Sequence, residues 1–118
     1  MVIRMDKTIT AVIKLPGKPA TIEAIPDSLA ELQRLVGGYI EIAMKAAEFY
    51  MGGTLVVYCN EDGQAMDLPP NIHRPTDGHV ILGTVVAVKV DRGGESLTMT
   101  QTEAEATLRL IGDMLWAA

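Results

Sequence analysis

Cysteine is almost absent: Cys59 is the one thiol in 118 residues. A single thiol closes no internal disulfide, so a disulfide-stapled scaffold is excluded and a reducing compartment is expected. Long apolar runs are missing as well. Arg4, Asp6 and Lys7 interrupt the N-terminal MVIRMDKTIT, which therefore does not read as a signal peptide. No window approaches the roughly 20 apolar residues of a membrane-spanning helix, so no membrane partner and a cytoplasmic location are expected. Positive charge is sparse and scattered. Ten Lys and Arg stand against fifteen Asp and Glu, a net charge of −5, and no two basic residues are adjacent. Binding a nucleic acid polymer relies on clustered cations that release counterions, so that function class is set aside. The carboxylates form no long run either, which argues against an acidic mimic of DNA. Repeats, heptads and low-complexity segments are lacking.

What is present is ordinary globular material, 48% apolar and 21% charged, enough for one core in a single domain over 1–118. Thr8 to Leu15 (TITAVIKL) reads as a strand ending at Pro16-Gly17, and Ala20 to Ile25 as a second strand stopped by Pro26. A short helix follows. Ser28 with Glu31 fits a capping box, Asp27 is the alternative cap, and Leu29, Leu32, Leu35 and Val36 make its apolar stripe before Gly37-Gly38. Tyr39 to Ala43 alternates as a half-buried strand. Met44 to Gly53 reads either as its extension or as one helical turn around Ala46, Ala47 and Phe49. Thr54 to Cys59 is a strong strand, and Asn60-Glu61-Asp62-Gly63 a turn whose Asp-Gly signals a hairpin. Ala65 to Gly78 holds three prolines and reads as an irregular loop. Val80 to Val90 is apolar on both faces and reads as one central strand, with Gly83 marking a bulge or a close backbone approach. Thr100 to Trp116 reads as a helix with a second capping box, Thr100 with Glu103, and a stripe of Ala104, Leu108, Ile111 and Leu115. The order β-β-α-β-β-loop-β-α predicts an α+β fold: a small, mostly antiparallel sheet of about five strands with two helices.

Catalytic and metal motifs are not found. His73 and His79, with Asp67 and Asp77 nearby, match no zinc spacing. The acidic turn at 60–63 lacks the alternating ligands of a calcium loop. The paired glycines at 37–38, 52–53 and 93–94 match neither a dinucleotide fingerprint nor a P-loop. No cofactor and no metal are therefore expected. Cys59 lies in an apolar run without a base beside it and reads as a small buried hydrophobe. The remaining polar cluster is Tyr39, Glu41, Asn60, Asn71 and Arg74, drawn from strand ends and the long loop. Binding residues concentrate on loops held by a rigid sheet, so these five are the candidate ligand-binding residues. Arg74 can grip a phosphate or carboxylate with two parallel hydrogen bonds. Leu115 and Trp116, near the chain end, could anchor a homodimer or simply cover the sheet.

Gly37-Gly38-Tyr39-Ile40-Glu41, the strand Leu55 to Cys59 followed by Asn60-Glu61-Asp62-Gly63, then Leu68-Pro69-Pro70-Asn71 and Ile81 to Val88 with Gly83-Thr84, come in a specific order. In this order, from about Ala20 to Ala118, the chain resembles a family of small phage and mobile-element proteins catalogued as a domain of unknown function. The resemblance implies an origin in phages or mobile elements and work inside a bacterial host; it carries over no catalytic residues. The expected function is non-enzymatic: stoichiometric binding, first of a nucleotide-like signal used in host defence. The alternatives are a host-protein-binding inhibitor, a homodimeric interaction module, and a small hydrolase using Glu41 with His73 or His79.

Overall fold

The computed structural model describes residues 7–114. Strands β1 (Thr8–Lys14) and β2 (Thr21–Pro26) form an antiparallel hairpin across the Pro16-Gly17 turn. Helix α1 (Leu29–Val36) follows. The Ser28 hydroxyl accepts the Glu31 N–H at 3.1 Å, and Gly37 ends the helix in the left-handed conformation at φ 80°. Only half of the expected capping box forms here, because the Glu31 carboxylate pairs with Arg34 instead, at 2.6 Å.

Strand β3 (Ile40–Tyr50) runs through the segment left open between strand and helical turn. It pairs antiparallel with β4 (Gly53–Asn60), with irregularities between Ile42 and Met44 and between Ala46 and Tyr50. The first irregularity adds one residue to β3 and the second adds two, neither ending the strand, which is why alternation fades after Ala43.

Two expectations are corrected in the middle of the chain. The 65–78 stretch is not all loop: Pro70–His73 forms β5, paired with β6 (Val80–Leu82) in a separate two-stranded sheet. Pro70 is tolerated because it opens a strand of this small ribbon. The Val80–Val90 run is not one strand: it breaks at Gly83, and β7 (Val85–Val90) alone enters the main sheet. Gly83 has φ +81°, and a Cβ there would lie 2.8 Å from Leu68 Cδ1. The chain turns sharply where only glycine fits.

A short strand, β8 (Ser96–Leu97), also pairs with β7. Among the described residues the main sheet has six strands, antiparallel at every pairing, in the order β2-β1-β7-β4-β3, with β8 beside β7. The fold is α+β, as expected; the described residues hold two helices, one more strand in the sheet than expected and a second, separate ribbon.

Each face of the sheet has its own cover. On one face Ile9, Ala11, Ile13, Val56, Val86 and Val88 pack with Val36 of α1. On the other, Val12, Leu55, Val57, Cys59 and Val85 pack with Ile72 and Ile81 of the ribbon and with α2 (Gln101–Asp113). Both halves of the α2 capping box form: Thr100 Oγ1 accepts from Glu103 N, and Glu103 Oε1 accepts from Thr100 N. Thr107 is the buried α2 residue that the apolar stripe omitted; its Oγ1 lies 2.6 Å from the Tyr50 hydroxyl. Leu115 and Trp116, the proposed dimer anchors, lie outside the described residues.

Candidate functional site

Glu41 on β3 stands opposite Cys59 on β4, near the end of the sheet where the chain turns through 61–64. The ribbon crosses the same end. Between them lies a cavity of about 520 Å³, lined by Glu41, Cys59, Asn60, Glu61, Gln64 and His79 and backed by β6. Pockets of this size take small organic ligands.

The walls are fixed by polar contacts. Asn60 is 3% exposed. Its Nδ2 donates to the Val36 carbonyl at 3.0 Å, and its Oδ1 accepts the Asp62 N–H at 2.7 Å, tying the 60–63 turn to the end of α1. The Glu61 N–H donates to the Tyr39 carbonyl at 2.8 Å.

Arg74 holds the ribbon to β3. Its Nη1 donates to the Ala43 carbonyl at 2.9 Å, at the first β3 bulge, where the ladder is interrupted. Its Nε and Nη2 form a bidentate pair with Asp77 at 2.9 and 2.7 Å. The guanidinium's hydrogen bonds, then the His79 N–H, hold the Asp77 carboxyl down at about 2. Arg74 is therefore already occupied by a carboxylate of its own loop, and the anion grip expected of it is taken by Asp77.

Asn71 is part of the core and faces Lys14. It is 2% exposed and Lys14 is 1% exposed. Asn71 Oδ1 accepts from Lys14 Nζ at 2.6 Å, and Nδ2 donates to the carbonyls of Lys14 and Gly83, both at 2.8 Å. These bonds clamp the ribbon to β1. Burial without a carboxylate partner lowers the Lys14 pKa.

Of the five candidates, then, Glu41 and Asn60 line the cavity and Arg74 braces its wall. Asn71 is a structural clamp, and Tyr39 is 68% exposed and contributes its backbone carbonyl. The candidate set omitted Glu61, Gln64 and His79. Their signal was positional: Glu61 lies within the Asn-Glu-Asp-Gly turn, Gln64 follows it, and His79 follows the proline-rich stretch.

The chemistry of the cavity is that of hydrogen-bond acceptance. Among the described residues no ion pair engages Glu41 or Glu61. Glu41 Oε1 receives only the Cys59 thiol, at 3.8 Å. Burial, reinforced by the Glu41 charge, pushes that thiol up to about 12, so Cys59 stays protonated and is a poor nucleophile. Among the described residues no three His, Cys, Asp or Glu side chains are grouped to hold a metal ion, and no helix is long and apolar enough to cross a membrane.

Residues 9–112 match a family described as a domain of unknown function (DUF3846). The chain belongs to this family. No curated protein and no solved structure matches it. The DUF3846 match starts within β1 and stops at the penultimate residue of α2, so it takes in every strand, the ribbon and the cavity.

Proposed function

We propose that this DUF3846 chain is a phage or mobile-element accessory protein that works in the bacterial cytoplasm by stoichiometric binding. Its task is to sequester a nucleotide-like signal of host defence. The observation that carries the reading is the cavity of about 520 Å³ between the sheet end and the ribbon. Asn60, buried and bonded, ties the 60–63 turn to α1, and Arg74 ties the ribbon to β3, so the site's frame is preformed and loses less entropy on binding. Asn60, Asn71 and Arg74 support the reading as the groups that hold that shape. The raised Cys59 pKa speaks against that thiol as a nucleophile.

Native mass spectrometry of the freshly purified chain is the test. A mass increment matching a nucleotide, lost when Gln64 and His79 are replaced by alanine, supports sequestration. A bare chain that also fails to bind nucleotides in calorimetry counts against it and moves the search to a host protein, beginning with pull-down from lysate.

A further inference from the structure

The cavity's hydrogen-bonding inventory defines what its ligand must present. Carboxylates accept and do not donate. Glu41 and Glu61 both line the cavity, neither has an ion-pair partner among the described residues, and no Lys or Arg lines it. Gln64 can donate or accept, and His79 offers a flat ring. The nearest guanidinium, Arg74, is held by Asp77 through two parallel N–H bonds. A phosphate entering this cavity would meet two carboxylates and no unpaired cation. An N–H donor edge would meet acceptors.

We infer that the cavity recognises a planar pair of adjacent N–H donors, set bidentate on the carboxylate of Glu41 or Glu61. Two ligand sources carry that edge: a guanine base, through its ring N–H and exocyclic amino group, and a guanidinium group. The Arg74–Asp77 pair shows the same bidentate geometry formed within this protein. In the guanine case the phosphates point to solvent, where salt screens their repulsion from the carboxylates. The inference rests on the binding role proposed for this cavity and adds the chemical class of the group bound.

Calorimetric titration of the full chain with guanosine, adenosine and methylguanidine tests it. Adenosine has the size of guanosine but lacks the adjacent donor pair. Guanosine should bind at least about tenfold more tightly than adenosine, the discrimination expected of one bidentate pair. Glu41→Gln or Glu61→Gln should remove about the same factor, because the new amide turns a donor toward the ligand's donors. Circular dichroism of each variant checks that the fold survives. Binding of methylguanidine without guanosine assigns the site to guanidinium ligands. Equal binding of guanosine and adenosine, or guanosine binding unchanged in both variants, overturns the inference. If neither probe binds while the purified chain carries another ligand by native mass spectrometry, the donor-pair inference falls and the binding role stands. If neither probe binds and the chain is bare, both fall.

Discussion

Lys14 and Asn71 show how much one residue pair can decide. A lysine on a strand normally reaches water with its amine, yet Lys14 is buried with an amide oxygen as its close partner at 2.6 Å. Asn71→Leu would leave that amine with the long bond to the Leu15 carbonyl at 3.4 Å, would strip the amide donor from two carbonyls, and should cost about 3 kcal/mol in urea unfolding. Lys14→Met added to Asn71→Leu should recover part of that loss, since the unpaired cation is gone. Full additivity of the two changes would refute the coupling. Cys59 supports a pH prediction. Its folded pKa of about 12 lies above the usual thiol value of 9.0. The unfolded chain therefore releases the proton first, and Cys59 contributes stability below pH 9 that is lost progressively as the pH rises toward 12. Stability measured across that window should fall more steeply in the wild type than in Cys59→Ala. Tyr50, also raised to about 12, contributes in the same direction in both proteins.

At the scale of elements, Gly83 is the decisive joint. It separates the ribbon strand β6 from the sheet strand β7. An alanine there meets both the left-handed φ of +81° and the Leu68 side chain at 2.8 Å. Gly83→Ala should lower stability by about 1–3 kcal/mol, read from a thermal or urea melt. An equally stable variant would mean that the joint is relaxed. The helix starts at Ser28 and Thr100 were legible in the sequence because a cap involves residues three apart. The break at Gly83 was not. Val80 to Val90 is apolar on both faces, and period-two patterning does not show which part pairs with a ribbon and which with a sheet. β5 was hidden for a related reason: the prolines around it mark turns, and a four-residue strand has too few positions to show a pattern.

For the whole molecule, the sheet is closed by pairings between distant parts of the chain. Val12 on β1 lies opposite Ala87 on β7, and β4 packs along the other side of β7. Such topology folds slowly, because loop closure precedes any gain from the pairing. Refolding by stopped-flow fluorescence should fall in the millisecond-to-second range, and a microsecond phase carrying the full amplitude would contradict it. Native-state hydrogen exchange should be slowest in β7, which has partners on both sides, and faster in the edge strand β3.

The sequence by itself determined the α+β class, both helices with their caps, and the strands β1, β2 and β4. It also determined a turn at 60–63, but not the hairpin that its Asp-Gly signals: β4 pairs with β3 and β7, and the next strand, β5, pairs with β6 in the ribbon. Each depends on residues within a few positions of one another, through alternation, capping or turn chemistry. Only the tertiary structure decided that Lys14 is buried, that Asn71 is its clamp rather than a ligand contact, and that Arg74 is held by Asp77. It alone brought Glu41, Glu61 and His79 to one cavity. Those outcomes depend on register and on which distant segments meet, and a side chain's burial and charge partner are set by that meeting, not by its neighbours along the chain.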